Sequence, residues 1–419
     1  MKEELNERAL VEAQRRDLEQ KKRPYNEYGA YGVYKKRRDF PGRVWEGLWM
    51  LAEREMNGIQ ALVAERGAVR FRDFMEMALY HPEHGYYGAG RAVLGRKGDY
   101  FTNVSVGAVY GELMGMQFME MWERLEQPGR FTIVEQGAND GTLAADVLGW
   151  CRSSAPGFYE VVQYEIVERF DVLRGRQEEK LGDFGEKVRW RNRLTELPPF
   201  TGVHFSNELV DAFPVHLVRC HEGEWVEMWV TADLNWMEMP MRDEVMRKGL
   251  EGVPLIEGYT TEVNLEAALW AKALAPRVER GWVMMVDYGY SRERFYAPER
   301  KGGTLECYAG QAKGLDPLEA PGYRDLTAHV EFTSLARAFM AAGMDLTGYT
   351  DQHHFLTGLA GKAYVERAPT EREARGLKTL LHPEMLGRAF RVLAVSRGVP
   401  EGRLAGFQFA RDPRVGLGI

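Results

Sequence analysis

The stretch Phe131-Thr-Ile-Val-Glu-Gln-Gly-Ala-Asn-Asp-Gly-Thr-Leu143 decides the fold class of this 419-residue chain. An apolar run ends at Glu135, a loop of small residues carries Gly137 and Gly141, and a helical pattern begins at Thr142. A strand, a glycine turn and a helix in this order are typical of α/β sheets that bind a nucleoside at the carboxyl end of the first strand. Because a carboxylate precedes the glycines, we expect a positively charged ligand, such as S-adenosylmethionine with its sulfonium and ammonium groups.

The glycine loop places Glu135, Gly137, Asn139 and Gly141 at every second position. Methyltransferases of the common α/β class carry acid-x-Gly-x-Gly-x-Gly here, and Asn139 takes the place of the middle glycine. Asparagine tolerates a positive φ better than most residues, so the turn is expected to survive. The spacing differs from the G-x-G-x-x-G of dinucleotide sites. A strand–helix turn without a ligand is the alternative interpretation.

From residue 131 onward, strand and helix patterns alternate. The predicted strands are 131–135, 161–168, 187–191, 202–206 and 281–287, and the predicted helices are 142–151, 169–181 and 262–279. This alternation predicts a mostly parallel sheet with helices on both faces. The segments 215–220 and 224–230 flank a short turn and predict a hairpin inserted near the site.

Composition and charge exclude several classes of protein. A net charge of -7 argues against a nucleic-acid partner, since such proteins are usually basic. The three cysteines form no disulfide or metal pattern, and the chain has no apolar run long enough to span a membrane. His353-His354 and His81-x-x-His84 lack neighbouring ligands, so no metal is expected. Acidic residues near the N-terminus argue against a transit peptide. We therefore expect a cytoplasmic protein with no membrane partner, and the oligomeric state stays open.

The second predicted strand ends at Glu168. A carboxylate at this point is placed to accept hydrogen bonds from both hydroxyls of a ribose. Its alternative role is to stabilise the N-terminus of the following helix. Glu165 lies three residues earlier, points to the opposite face and is the weaker candidate.

The segment Val203–His216 is the most unusual part of the chain, with its Asn207-Glu208 pair and Asp211. Carboxylates at this strand end suit a guanidinium group, because arginine–carboxylate pairing is bidentate. His216 is a candidate general base, and a purely structural histidine is the alternative. Asp211 alternatively supports the turn before Pro214.

A further predicted strand ends in Asp287-Tyr288, and a long polar connection follows it. Long connections of this kind are uncommon unless they are functional. Asp325 and His329 lie four residues apart in it and are expected to face the same way. A self-stabilising loop is the alternative.

The chain divides into four predicted parts. Residues 1–45 form an arm with tyrosines at threefold spacing and the basic cluster Lys35–Arg38; it is either mobile or binds a partner. Residues 46–125 form a helical N-terminal part with a glycine-rich segment over the cofactor site. Residues 126–398 form the core, with insertions at 215–258 and 290–330, and residues 399–419 form a C-terminal tail.

Together, these segments resemble the MidA-like class I methyltransferases, a family that includes a mitochondrial complex I assembly factor that methylates protein arginine. The resemblance extends from about Phe71 to Arg397. Its motifs are Ala78-Leu-Tyr-His-Pro-x-x-Gly-Tyr-Tyr87, Gly98-Asp-Tyr-Phe-Thr102, Glu135 to Leu143, Ile166-Val-Glu-x-x-x-x-Leu-Arg-x-x-Gln177, Asn207-Glu-x-x-Asp-Ala-x-Pro-Val-His216, Asp287-Tyr-Gly289, Gly303-Thr-Leu305 and Asp325-Leu-Thr-Ala-His329. It implies a Rossmann-like α/β fold with a mostly parallel seven-stranded sheet, S-adenosylmethionine as cofactor and methyl transfer. The chain departs from the family pattern at Thr102-Asn-Val-Ser105 and within the glycine loop.

We therefore predict a methyltransferase that acts on an arginine nitrogen of a protein partner. The alternatives are a small-molecule or modified-peptide acceptor, and a non-catalytic assembly or binding factor that retains the fold. The predicted cofactor-binding residues are Thr102, Glu135, Gly137, Asn139, Gly141, Thr142, Glu168 and Asn207. The predicted catalytic residues are Glu208, Asp211, His216 and His329, and the predicted substrate contacts are Glu208, Asp287, Tyr288 and Asp325.

Overall fold

The computed structural model describes residues 58–92, 102–309, 312–365 and 367–419. The predicted arm over residues 1–45 lies outside these ranges. The strands, in chain order, are β1 Ala68–Arg70, β2 Phe131–Gln136, β3 Val162–Val167, β4 Val188–Arg191, β5 Phe200–Asn207, β6 His216–His221, β7 Glu224–Thr231, β8 Trp236–Pro240, β9 Thr260–Val263, β10 Val278–Tyr290, β11 Glu306–Ala309, β12 Ala312–Lys313, β13 Asp325–Thr327, β14 Val330–Glu331, β15 Asp345–Asp351 and β16 Phe390–Arg397. The α-helices that follow residue 70 are α1 Phe71–Tyr80, α2 Val109–Arg124, α3 Thr142–Ser154, α4 Pro156–Val161, α5 Asp171–Leu181, α6 Glu244–Gly249, α7 Leu265–Leu274, α8 Arg292–Phe295, α9 Phe332–Ala341, α10 Gln352–Ala363, α11 Glu371–Leu381 and α12 Pro413–Leu417.

The central sheet has the strand order β15-β16-β10-β5-β2-β3-β4. The pairings β10–β5, β5–β2, β2–β3 and β3–β4 are all parallel. Strand β16 is antiparallel to both of its neighbours, and the short β14 joins the end of β10. The predicted α/β fold with a mostly parallel seven-stranded sheet is confirmed, with β16 as its reversed strand.

Helices cover both faces of this sheet, which explains why its strands read as nearly continuous apolar runs. Successive side chains of a strand point to opposite faces. Met284 and Val286 of β10 accordingly pack into the layer that contains α2, α3 and α10. Val283 and Met285 pack into the opposite layer with α7 and α9.

A second, antiparallel sheet contains β1, β6, β7, β8 and β9. The predicted hairpin is present as β6 and β7. Helix α1 packs on this sheet, with Phe71 and Phe74 buried in one cluster with Leu217 and Val230. The hydroxyl of Tyr80, at the end of α1, donates a hydrogen bond to Ala212 O (2.7 Å), which joins this layer to the loop after β5.

Two predicted segments differ in the structure. The helix expected over 262–279 is shorter, because residues 260–263 pair with β6 and Asn264 caps α7 by accepting a hydrogen bond from Ala267 N (2.9 Å). The connection 290–330 contains a small sheet, β12-β11-β13, whose pairing joins positions too distant in sequence to be seen in a local pattern.

Within the described ranges, no helix is long and apolar enough to cross a bilayer. The same residues contain no group of three or more histidine, cysteine or acidic side chains arranged to hold a metal ion. Cys151, Cys220 and Cys307 are buried free thiols.

Candidate active site

A cavity of about 480 Å³ opens where β2, β3 and β5 end. Its size falls in the range of pockets for small molecules and cofactors. The predicted site residues that line it are Thr102, Glu135, Gly137, Asn139, Glu168, Asn207 and Glu208. Helices α1 and α7 contribute Glu76, Tyr80, Glu266 and Trp270 to its lining. The carboxyl ends of three parallel strands therefore meet in one concave space, as the sequence predicted.

The glycine loop between β2 and α3 has the left-handed backbone that its sequence predicted. Gly137 and Gly141 both have φ of +81°, and Asn139 has φ of +48°. A Cβ on Gly137 would lie 3.2 Å from the side chain of Leu209, so the loop passes close to the turn after β5. Asp140 closes the loop by accepting a hydrogen bond from Thr142 N (3.0 Å). Gly141 and Thr142 thus shape the turn, and neither is among the cavity-lining residues.

Glu135 lies at the end of β2 and is almost fully buried. Its Oε2 accepts a hydrogen bond from the Tyr164 hydroxyl (2.7 Å). Burial raises the pKa of Glu135 to about 7, and the tyrosine opposes that shift. A carboxylate in this position gains favourable interaction from a bound cation, because water solvates it poorly.

Glu168 follows β3 and is held by two hydrogen bonds. Its Oε1 accepts from Phe170 N (2.9 Å) and its Oε2 from Gln177 Nε2 (3.0 Å). Gln177 also donates to Asn139 O (2.8 Å) and therefore links this carboxylate to the glycine loop. Burial raises the pKa of Glu168. Glu165 pairs with Arg191 instead (2.9 Å) and does not line the cavity.

Asn207 ends β5 and is fixed by partners from the helical segment before β2. Its Oδ1 accepts hydrogen bonds from Tyr110 OH (2.7 Å) and Asn103 Nδ2 (3.2 Å). Its Nδ2 donates to Glu208 Oε1 (2.7 Å). Sequence reasoning missed Tyr110 and Asn103; the only signal was that Asn103 falls in the segment that departs from the family pattern.

Glu208 projects a half-buried carboxylate into the cavity. Its φ of +55° is unusual for a residue with a side chain and costs on the order of 1 kcal/mol or more. Burial raises its pKa to about 8, and the nearby charge of Asp287 adds to the shift. A carboxylate under these conditions favours a cationic partner that restores its charged form.

Asp287 and Asp211 lie behind the cavity wall and do not line it. The Asp287 carboxylate accepts hydrogen bonds from the backbone of the turn after β5, with Val210 N at 2.8 Å. Burial raises the pKa of Asp211, and the Asp287 charge raises it further. The backbone oxygen of Asp211 accepts a hydrogen bond from Ala328 N (2.8 Å). The expected direct contact between Asp287 and substrate is therefore not what the geometry shows.

His216 lies on β6, in the second sheet, and is not part of the cavity wall. Its Nδ1 is 2.7 Å from Oε1 of the buried Glu227. Arg70 approaches the other oxygen of Glu227 (3.6 Å). The position of His216 thus corresponds to the structural alternative and not to a general base.

The predicted residues of the connection after β10, Asp325 and His329, contact tyrosines near the site but do not line the cavity. Asp325 is buried and accepts a hydrogen bond from the hydroxyl of Tyr87 (2.9 Å), which does line the cavity. His329 stacks on Tyr288, with ring centroids 6.0 Å apart. Burial lowers the pKa of His329 to about 4, so it is neutral at physiological pH. Asp325, Tyr288 and His329 do not line the cavity.

Ion pairs cross the cavity rim and tie α1 to the core. Arg72 pairs with Glu266 of α7 (2.5 Å), and Arg169 approaches Glu76 (3.5 Å). The Arg169 guanidinium also lies over the ring of Tyr80, 4.5 Å from its centroid. None of these rim residues was singled out from the sequence.

A family model described as "Putative S-adenosyl-L-methionine-dependent methyltransferase" matches residues 113–350. The chain belongs to this family. A crystal structure from Burkholderia thailandensis, bound to S-adenosyl-homocysteine, is 30% identical with a TM-score of 0.80, and the match covers 90% of this chain and 99% of that chain. The predicted family, the enzyme class and the cofactor S-adenosylmethionine are thereby confirmed.

Curated relatives of this methyltransferase bear a more specific name. The Drosophila melanogaster relative, named protein arginine methyltransferase NDUFAF7 homolog, mitochondrial, is 28% identical over 81% of this chain and 84% of its own length. The Homo sapiens protein arginine methyltransferase NDUFAF7, mitochondrial, is 25% identical over 84% and 85%. The cytoplasmic location predicted from the cysteines and the N-terminus is contradicted by these names. The physical reason is that free thiols indicate a reducing environment without specifying a compartment.

Proposed function

We propose that the protein transfers a methyl group from S-adenosylmethionine to a nitrogen of an arginine side chain on a protein partner. The observation that carries the proposal is Glu208, a carboxylate held at the end of β5 by Asn207 and directed into the cavity. The names of the Drosophila and human relatives support the same acceptor class. The predicted absence of nucleic-acid and membrane partners stays a prediction.

The ends of β2 and β3 fit the cofactor. The Glu168 carboxylate uses two of its roughly four acceptor sites within the protein, which leaves capacity for ribose hydroxyls. Gly137 presents bare backbone to the cavity, so a ligand can approach closely there. The buried Glu135 suits a positively charged group. We assign Thr102 and Asn139 to the same pocket because they line it, whereas Gly141 and Thr142 support it through the turn. Asn207, predicted as a cofactor contact, also lines the cavity, and we assign it to the acceptor side because its amide holds Glu208.

The cofactor supplies an electrophilic methyl group on a sulfonium, whose sulfur is released as a thioether. Glu208 pairs with the acceptor guanidinium and orients one nitrogen toward that methyl group. As the carbon–nitrogen bond forms and the carbon–sulfur bond breaks, the nitrogen loses one proton, and ionised Glu208 is placed to accept it. Positioned acid–base groups of this kind contribute about 10²- to 10⁴-fold to rates.

The test is Glu208→Gln, which keeps the size of the side chain and removes its charge. We expect cofactor affinity, measured by calorimetry, to stay within a few-fold of the wild type. Methyl transfer should fall by about 10²- to 10⁴-fold. The acceptor is supplied as total cell protein with tritiated S-adenosylmethionine, and radioactivity is counted in methylarginine after acid hydrolysis.

Glu238→Gln is the matched control, because Glu238 is also half-buried and pairs with Arg219 outside the cavity (3.2 Å). It should leave both measurements unchanged. Full turnover in Glu208→Gln, or label only in a small-molecule fraction, would contradict the proposal. Label only in a small-molecule fraction would favour a small-molecule acceptor with a different base.

A further inference from the structure

The Asp287 carboxylate lies behind the cavity and accepts hydrogen bonds from four backbone amides. Its Oδ2 accepts hydrogen bonds from Leu209 N (3.2 Å), Val210 N (2.8 Å) and Asp211 N (3.3 Å). Its Oδ1 accepts one from Tyr288 N (2.9 Å). Only 1% of its surface is exposed, so the protein supplies nearly all of its solvation.

Strand β10 also accepts a hydrogen bond from the amide of Glu208, which directly precedes these three residues of the turn. Glu208 N donates to Val286 O (2.9 Å), so the amides of residues 208–211 all bond to residues 286 and 287 of β10. Successive amides that converge on an anion form a rigid concave arrangement. This arrangement begins at Glu208, whose positive φ is unfavourable for a residue with a side chain. Such a conformation persists only where its surroundings over-determine it.

We propose that Asp287 is the positioning residue of the acceptor site: by fixing the turn from Glu208 to Asp211, it sets the direction in which the Glu208 carboxylate enters the cavity. The inference rests on the proposed function, because it assumes that Glu208 holds the acceptor. Asp287 itself does not touch the acceptor in this proposal.

The Asp287 charge has a second consequence for Glu208. The titratable groups that interact with Glu208 from the surrounding elements are Asp287, Asp211, Asp325, Tyr110, Tyr288 and Tyr308. The four amide donors around Asp287 favour its ionised form, and its negative charge is one of the causes that raise the pKa of Glu208. Because a negative neighbour raises the pKa of a carboxyl, removing the Asp287 charge lowers the pKa of Glu208.

The experiment compares wild type with Asp287→Asn, a variant of the same size that retains one oxygen acceptor. The probe is Nα-acetyl-arginine methylamide, titrated calorimetrically into the full chain saturated with S-adenosylhomocysteine, from pH 6 to 9.5. In the wild type, affinity should rise with pH and level off above about pH 8, as Glu208 ionises. In Asp287→Asn, the plateau affinity should fall about tenfold and the midpoint should move to lower pH. A purely structural role would reduce thermal stability without moving the midpoint.

Glu262→Gln is the matched control. Glu262 is likewise a buried carboxylate that accepts backbone hydrogen bonds, from Thr304 N (2.7 Å) and Leu305 N (2.9 Å), but it lies outside the cavity. This variant should keep the wild-type plateau and midpoint. A midpoint shift as large as that of Asp287→Asn would overturn the inference, because the effect would then be general.

Glu208→Gln separates the two proposals. If it binds the probe as the wild type does, the proposed function fails. If it loses binding while Asp287→Asn keeps the wild-type affinity and midpoint, only the positioning role fails. Should Asp287→Asn not fold, hydrogen exchange in the wild type decides: the amides of residues 209–211 should be strongly protected, and rapid exchange there would overturn the proposal.

Discussion

The cofactor end and the acceptor end of the cavity differ in how far apart in sequence their parts lie. At the cofactor end, Glu168 bonds to Phe170 and Gln177, which are two and nine residues away. At the acceptor end, Asn207 is fixed by Tyr110, 97 residues away, and the turn after β5 by Asp287, 77 residues from Val210. The contacts of the first end join residues that lie nearer in sequence, up to 38 apart between Gln177 and Asn139, whereas the second end exists only once the sheet has closed.

The acceptor end also differs from the cofactor end in that three carboxyl groups lie close enough to affect one another. Close to the acceptor end, Glu208, Asp211 and Asp287 interact electrostatically, and burial raises the pKa of each. Burial and like charge both favour the neutral forms, and a cationic acceptor reverses that preference. If this comparison is right, substitutions at one end should change cofactor affinity, and substitutions at the other should change turnover.

The largest effect is expected for Gly137→Val at the cofactor end. Valine is β-branched and resists the positive φ of this position, and its side chain would press on Leu209 and enter ligand space. We expect no measurable binding of S-adenosylmethionine by calorimetry. Gly223→Val is the matched control, because Gly223 has a similar φ of +78° in a hairpin turn with open space around it. Normal cofactor binding by Gly137→Val would mean that the loop is only a structural turn.

A smaller effect is expected for Glu168→Ala. Losing hydrogen bonds to a charged group costs about 1.5–3 kcal/mol, which corresponds to roughly tenfold or more in cofactor affinity. Glu178→Ala, on the exposed side of the nearby helix α5, removes a surface pair with Arg174 (2.8 Å) and should leave the affinity unchanged. An unaltered affinity in folded Glu168→Ala would remove this residue from the site.

The smallest effect, and the sharpest comparison, comes from two hydroxyl deletions. Tyr110→Phe removes a hydrogen bond to Asn207, and Tyr164→Phe removes one to Glu135. A typical hydrogen bond contributes about 0.5–1.5 kcal/mol, or roughly two- to twelvefold. We expect Tyr110→Phe to lower turnover at unchanged cofactor affinity, and Tyr164→Phe to lower cofactor affinity. The same response in both variants would mean that the two ends do not act separately.

Much of the fold was predictable from the sequence because its signals are local. The apolar runs of β2, β3 and β5 and the glycine turn at Gly137 carry their own pattern, and the structure places the turn where three strands meet. Glu135, Glu168 and Glu208 each stand at or just after the end of a predicted parallel strand, and all three line the cavity, although their roles stay predictions.

Position in the sequence was a poor guide where a distant partner binds the side chain. Asp287 also sits near the end of a strand, yet the backbone amides of the turn after β5 occupy its carboxylate. His216 follows an acidic segment, yet it pairs with Glu227 across the β6–β7 hairpin. In both cases the deciding contact depends on strand pairing or chain closure, which residue types alone do not specify.

Gln177 has a consequence for how changes around the cofactor end combine. One buried amide donates to Glu168 and to Asn139 O, and its oxygen accepts from Trp190 Nε1 (3.0 Å). Residues that share a partner show interaction free energies, so their substitutions do not add. The glycine loop, the end of β3 and β4 therefore form one cooperative unit. A cofactor that orders any part of that unit stabilises the others through a single side chain.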